Sequence, residues 1–352
     1  MPETTRPLGT GEPEVGAMSQ PPMDDILTDA CRAPSVHNTQ PWQWRVSGAE
    51  VRLHTDDRRR LDVLDPDGRD LVISCGAALH HLQVAAAGHG WNARVTRLAS
   101  EAGDGALAVA ILRPARIARE HARLLEALRR RRTDRRRLTS WPVPVERLKR
   151  LAADGTSWGA MVLPVESERT RATLEHLTFR ANRIQQQDER YAGELAAWVR
   201  ADASDGIPVD HVVAGQRSDV TQLDRVFPGG VLDDPVLERE ASVDGMLIVC
   251  TSSDDRLSRL RAGEALSAVW LAATTDGLAL VPLTSAMEVD ETRRQLQADV
   301  LDDLAFPQLL MRVGWPPMSR SPLPPTPRLP LAKTVVRTEG PSWRAVDGQS
   351  RS

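Results

Sequence analysis

The sequence predicts an α+β fold of two tandem related halves around mixed or antiparallel sheets, and three observations lead there. Apolar residues alternate with polar ones at Trp42, Trp44 and Val46 and again, past the turn at Ser47-Gly48, at Val51 and Leu53; this is the period of a hairpin with one buried face. From Asp70 to Ala87 the chain is rich in Ala, Leu, Val and Ile and is followed by Gly88 and Gly90, the pattern of a core helix stopped by glycine. From Val145 a second, looser series of helices and strands repeats the order of the first.

Taken in order, residues 1–22 hold five prolines and three glycines without the basic start and apolar stretch of a secretory signal, and are expected to form a disordered tail. Ile26, Leu27 and Ala30 mark a short helix, which ends before Pro34 because proline disfavours helical geometry in the residue preceding it. After the hairpin and the core helix, 106–112 reads as a strand and 114–132 as an arginine-rich amphipathic helix or connector. The second series is a helix over 145–153, a strand over 160–165, a helix over 168–186 with a further one to 200, a strand over 246–251 and a helix over 257–276. Then come a strand over 278–283, a helix over 290–299 and a strand over 308–313. The proline-dense run 316–330 is extended chain. The stretch 201–242 contains Gly206, Pro208, Pro228, Gly229, Gly230 and Pro235 with little periodicity, and is either a mobile cover or an ordered insertion. The expected division is therefore a first half over 23–115, a second half over 116–331 with a lid inserted at 201–242, and a carboxyl-terminal tail over 332–352.

Composition excludes several classes. With 45 basic against 48 acidic residues the net charge is −3, so no global field favours nucleic acid or an anionic membrane. No uninterrupted apolar run approaches the roughly 20 residues of a membrane helix. Cys31, Cys75 and Cys250 are isolated, which fits neither a disulfide framework nor a zinc site and points to a reducing, cytoplasmic setting. The eight histidines show no metal-binding spacing, and no metal is expected. Nucleophile elbows, P-loops and Rossmann fingerprints are absent as well.

Two clusters could carry chemistry. The loop from Pro34 to Trp42 gathers Ser35, His37, Asn38, Thr39 and Gln40 before a rigid Pro41-Trp42 exit. It is either a capped helix end or a hydrogen-bonding platform suited to the edge of a planar heterocycle, since Asn and Gln offer both donors and acceptors. Residues 129–137 hold seven arginines around Thr133. A solvated charge run is the default reading, phosphate binding the functional one, and an RNA-binding module a third without supporting motifs.

Pro34-Ser35-Val36-His37-Asn38-Thr39-Gln40-Pro41-Trp42 resembles the P-S-x-x-N-x-Q-P-W segment of the nitroreductase superfamily, and Arg131-Arg132-Thr133-Asp134-Arg135 resembles its R-R-S-x-R segment. Cys75-Gly76-Ala77-Ala78 is similar to the family's C-G-x-A helix, and Val313-Gly314-Trp315-Pro316 with Pro327-Arg328 to its G-Y-P…P-x-R ending. The arginine segment here follows the loop instead of preceding it, an order that resembles the Acg subfamily of mycobacteria and relatives. The resemblance implies a nitroreductase fold as a single-chain pseudo-dimer, with further dimerisation left open. It also implies one FMN per chain, because the second half's counterpart of the loop, Gly155-Thr156-Ser157-Trp158-Gly159, lacks Asn and Gln. By the same resemblance Arg131, Thr133 and Arg135 would hold the phosphate and ribityl chain, Arg328 would close the phosphate site, and Ser35, Asn38 and Gln40 would line the isoalloxazine. Thr284 and Ser285 would lie near flavin N5. The implied activity is hydride transfer from NAD(P)H through FMN to a small nitroaromatic, quinone or enone. The alternative is an FMN-storage protein whose lid covers the cofactor.

Overall fold

The computed structural model describes residues 20–98, 104–200, 204–214, 225–234, 244–318 and 320–338. Most of the expected amino-terminal tail, 201–203, 215–224 and 235–242 of the expected lid, and 339–352 lie outside the described residues.

The chain runs α1 (Met23–Ala30), β1 (Trp42–Ser47), β2 (Glu50–Thr55), α2 (Arg69–Gly88), β3 (Trp91–Arg97), β4 (Ala108–Pro114) and α3 (Arg119–Arg130). Then follow α4 (Val145–Thr156), β5 (Met161–Pro164), α5 (Glu168–Gln186), α6 (Glu189–Trp198), the short pair β6 (Val199–Arg200) and β7 (Ile207–Pro208), β8 (Gly245–Thr251) and α7 (Arg256–Thr275). It continues with β9 (Ala279–Leu283), α8 (Ser285–Glu288), α9 (Asp290–Leu301), β10 (Phe306–Gly314), α10 (Leu331–Thr334) and β11 (Val335–Arg337). Side-chain caps start several helices: Asp255 accepts from Ser258 N on α7, Asp188 from Arg190 and Tyr191 N on α6, and Ser167 from Thr170 N on α5.

Two sheets result, ordered β11-β1-β2-β4-β3 and β5-β8-β10-β9. Setting β11 aside, each follows the order first, second, fourth, third, all pairs are antiparallel, and a long helix joins its second and third strands. Those helices, α2 and α7, pack against each other more extensively than any other two elements. Glycine makes this possible. A methyl group on Gly76 would strike the carbonyl oxygen of Leu260, and one on Gly263 would strike the carbonyl oxygen of Ile73. Each glycine thus sits on the carbonyl three positions before the other, the reciprocity of a two-fold contact. Gly76 and Gly263 lie 187 positions apart (263 − 76), and so do His80 and Ser267, which hydrogen-bond across the same crossing at 2.7 Å.

Two differences from the sequence reading have physical causes. Strand β3 was not anticipated because it is an edge strand whose one buried side chain is Trp91. The start of the stretch expected as a carboxyl-terminal tail holds most of α10 and β11, and β11 pairs in parallel with β1, so residues 335–337 join the first sheet. Helix α2 is, among the described residues, the one helix long and apolar enough to cross a membrane, despite its charged first turn, but 83% of its apolar window is buried in the fold. All three cysteines are free and buried.

Candidate functional site

The loop between α1 and β1 is held in a strained conformation. His37, Asn38 and Gln40 have φ of 45°, 55° and 52°, a region that costs a residue bearing a Cβ roughly 1–3 kcal/mol. Neighbouring groups fix it. Ser35 Oγ accepts from Gln40 N at 2.9 Å, and Ser74 Oγ accepts from Val36 N while donating to the Asp70 carbonyl. Asn38 Nδ2 donates to the carbonyls of Gly206 (2.9 Å) and Pro327 (3.1 Å). Gln40 Nε2 donates to Ser204 O, and its Oε1 accepts from Leu329 N.

Beside this loop lies a cleft open to solvent. Its apolar walls come from Ile73 on α2, Leu266 and Trp270 on α7, Leu309 on β10, and Ile207 and Phe227 from the segment after α6. A cleft with such walls and a few converging polar groups suits a flat, drug-sized ligand.

One end of the cleft is cationic. Arg131, buried, lies over the Trp270 ring with its guanidinium carbon 4.5 Å from the centroid, and spends one nitrogen on the Arg32 carbonyl at 3.1 Å. Its Nε and Nη1 are buried without a hydrogen-bond partner. Burial, with the charges of Arg328 and Arg132 nearby, pulls this guanidinium well below its usual value, as expected for a cation that the fold leaves uncompensated. Burial likewise pushes Arg328 down, to about 10. All of Arg328's nitrogens donate to carbonyls, those of Cys31, Arg32, Ala33, Thr326 and Pro327, so it contributes charge and fixes the loop. Arg135 lies over Phe227 at 4.8 Å. The arginine run is therefore not a uniformly solvated face: Arg131 and Arg136 are buried, Arg136 pairs with Asp134, and Arg129 pairs with Asp29.

The other end combines acids and bases. Arg225 Nη1 donates to His37 Nε2 at 2.8 Å, while its Nη2 bonds Ser285 Oγ and pairs with Glu288 on α8. Because a guanidinium only donates, His37 Nε2 accepts and the ring proton sits on Nδ1, which has no partner. Burial and then the Arg225 and Arg135 charges hold His37 well below the usual histidine value. Asp70, at the start of α2, also lines the cleft, and neither of its carboxylate oxygens is in a hydrogen bond.

The cleft thus brings together Ser35, Asn38, Arg131, Thr133, Arg135, Thr284, Ser285 and Arg328. Gln40 is not in its lining; the fully buried amide ties the loop to Ser204 and Leu329 instead. Asn38 lines the cleft, but its amide nitrogen is committed to two carbonyls. Sequence reasoning overlooked Asp70, Trp270, Arg225 and Phe227. Only Trp270 carried a signal, as a large aromatic in an otherwise small-residue helix pattern.

Two curated relatives decide the family. "Putative NAD(P)H nitroreductase Rv3131" of Mycobacterium tuberculosis is 39% identical over 323 residues, covering 88% of this chain and 90% of the relative. "Putative NAD(P)H nitroreductase acg" of the same organism is 35% identical, covering 86% and 91%. The chain belongs to the Acg-like nitroreductase family. Among solved structures, a nitroreductase with bound FMN from Desulfitobacterium hafniense is 13% identical, covering 62% of this chain and 98% of that one at a TM-score of 0.38, too low to add weight. No family model matches the sequence. In this Acg-like protein the loop and the arginine segment, far apart in sequence, face one cleft.

Proposed function

We propose that this Acg-like protein binds one FMN per chain in the cleft and passes electrons from NAD(P)H to a small electrophilic acceptor, a nitroaromatic, quinone or enone. The observation that carries the reading is Arg131: a buried guanidinium with two partnerless donors at one end of an apolar-walled cleft. Such donors suit a phosphate, and the walls formed by Ile73, Leu266 and Phe227 suit a planar ring. The cofactor, when bound, supplies the hydride chemistry. Arg131 would hold the phosphate, with Thr133 and Arg135 beside it and Arg328 adding positive charge. Ser35 and Asn38 would shape the loop beside the ring, and Thr284 and Ser285 would stand at the opposite wall. His37 Nδ1 is a free donor for a ligand oxygen or nitrogen.

The identical strand order of the two sheets and the reciprocal glycine contact support reading the chain as an internal pseudo-dimer, its halves at 23–115 and 116–331. The position equivalent to the loop, between α4 and β5, is a short turn without Asn or Gln, which supports a single cofactor site.

A second reading has its own support. Ile207, Pro208, His211, Arg225 and Phe227, all from the expected lid, line the cleft, as a protein that stores FMN under a cover would require. One experiment separates the two: the visible spectrum of the purified chain with FMN, followed anaerobically as NADPH and then NADH are added. A flavin band bleached by either nucleotide supports the oxidoreductase. A band bleached only by dithionite supports storage, and the absence of flavin uptake refutes both.

A further inference from the structure

Around Asp70 and Arg225 in the cleft lining the charges do not balance. Three carboxyl groups, Asp65, Asp70 and Glu288, face two guanidinium groups, Arg69 and Arg225. These come from the turn before α2, α2 itself, α8 and the segment at Arg225; Gln185 of α5, Tyr191 of α6 and His37 also pack against Arg225 and Glu288, and Glu194 of α6 accepts from Val63 N and Leu64 N beside that turn. Acids outnumber guanidinium groups there, and a buried cluster of such composition favours keeping a proton on one carboxyl.

Hydrogen bonding shows which acid keeps it. Asp65 is also raised, by burial and the Glu288 charge, but it accepts from the backbone N–H groups of Asp70 (3.0 Å) and Leu71 (2.8 Å) at the start of α2, and these bonds oppose the shift by favouring the ionised form. Glu288 Oε2 accepts from Arg225 and, at 2.6 Å, from Gln185 Nε2, and its carboxyl is held below its usual value despite burial. Asp70 has no such support. Arg69 Nη2 lies 2.6 Å from its Oδ1 but outside hydrogen-bonding geometry, and the same guanidinium donates to Gln308 O. Burial, reinforced by Asp65 and Glu288 and opposed by Arg69 and Arg225, pushes Asp70 up to about 7.

We propose that Asp70 holds a proton in the cleft at neutral pH and gives it to the bound electron acceptor, an inference that rests on the oxidoreductase reading above. The balance is explicit. NAD(P)H supplies a hydride through the cofactor and leaves as NAD(P)⁺, and the quinone or enone that gains the hydride needs one proton to become the neutral product. The Oδ–H bond of Asp70 breaks, an O–H or C–H bond forms on the acceptor, and the electron pair stays on Asp70. The resulting carboxylate faces Arg69 and Arg225, and water at the open mouth returns the proton.

The test uses the full chain loaded with FMN, as wild type, Asp70→Asn and Glu288→Gln, reduced stoichiometrically with dithionite and mixed with menadione from about pH 5 to about pH 9. Wild-type reoxidation is expected to fall roughly tenfold per unit above the Asp70 inflection, at about 7. Asp70→Asn, nearly isosteric with the protonated acid, is expected to retain FMN but react on the order of 100-fold more slowly, with a flat profile. Glu288→Gln removes a negative neighbour and frees Arg225, so the inflection moves to lower pH. Infrared titration of the flavin-free chain is expected to show a protonated carboxyl band at pH 6, absent from Asp70→Asn. A wild-type profile in Asp70→Asn, or no such infrared band, overturns the proposal. Should Asp70→Asn fail to fold, an unmoved inflection in Glu288→Gln overturns it. A wild-type chain that takes up no FMN overturns the oxidoreductase reading and the transfer with it. The infrared band then shows separately whether Asp70 holds the proton.

Discussion

Replacing Arg131 by methionine is expected to weaken FMN binding on the order of 100-fold while leaving the flavin-free protein as stable as before, or more stable. The magnitude comes from the two partnerless nitrogens, Nε and Nη1. A hydrogen bond to a charged group contributes about 1.5–3 kcal/mol, so two at the lower figure give about 3 kcal/mol, or about two decades in Kd. The stability side follows from the same geometry. The variant loses one bond to Arg32 O and the contact with Trp270, each about 1 kcal/mol, but no longer buries an uncompensated cation beside Arg328. Methionine keeps an apolar stem against the indole.

The assay is quenching of flavin fluorescence on titration, run in parallel with FMN and with riboflavin, which lacks the phosphate. Wild type should prefer FMN strongly, and the variant should bind the two with similar affinity. Urea unfolding of the flavin-free proteins gives the stability comparison. Equal losses for FMN and riboflavin would mean that Arg131 shapes the cleft without contacting a phosphate, and an unchanged FMN affinity would refute the phosphate assignment outright.

Three further outcomes are expected. Gly76→Ala and Gly263→Ala should each cost at least about 3 kcal/mol in urea unfolding, because the new methyl meets backbone that cannot yield; a large effect at only one of the two would contradict the two-fold reading of the crossing. Gln40→Ala should lower stability by about 3 kcal/mol, since Leu329 N and the Ser204 carbonyl lose a buried partner. The stoichiometry of one FMN per chain should survive, and its loss in a folded variant would restore Gln40 as a direct ligand. His80, buried and pushed down to about 3, stays neutral in the folded chain while the unfolded chain takes up a proton below its ordinary value of 6.5. Stability therefore falls as pH drops through that value, by about 1.4 kcal/mol between about pH 7.5 and about pH 5.5. Wild type should lose that much more than His80→Gln over the interval, and an equal loss would mean that His80 protonates in place.

Most of the architecture was legible because its cores announce themselves locally. The small-residue stretch around Gly76 reads as a core helix, and the alternation from Trp42 to Leu53 reads as a hairpin. Strand β3 was passed over although Trp91, Ala93 and Val95 alternate with polar residues, because as an edge strand it buries only Trp91 fully; strand β11 was not legible because a three-residue parallel pairing closes a loop of nearly the whole chain. That the loop and the arginines line one cleft followed from two segments each contiguous in sequence. Gln40 misled because an amide that suits a heterocycle edge suits three backbone groups equally well, and only the fold decides between them. Asp70, Arg225 and Glu288 were invisible for the opposite reason: each is an unremarkable charged residue, and their meaning lies in a meeting of segments 155 and 63 positions apart (225 − 70 and 288 − 225).

The two ends of the cleft form one electrostatic device. Arg131 and Arg328, without a carboxylate partner among the described residues, place about two positive charges at one end, which selects an anionic group and orients whatever carries it. At the far end the five-membered cluster carries one negative charge if Asp70 is ionised and none if it is protonated. A ligand with phosphate at the cationic end therefore presents its other end to a group whose charge is variable. Negative charge arriving there raises the proton affinity of Asp70, and loss of that proton to an acceptor lowers the affinity of the same site for further negative charge. Burial of the whole cluster strengthens the coupling, since the interaction of two charges a few ångströms apart grows as the surrounding dielectric falls. The same arrangement accounts for the strained loop: His37, held at positive φ, is the residue that receives Arg225 and so ties the acidic cluster to the loop that Arg328 holds in place through the carbonyls of Cys31 and Arg32.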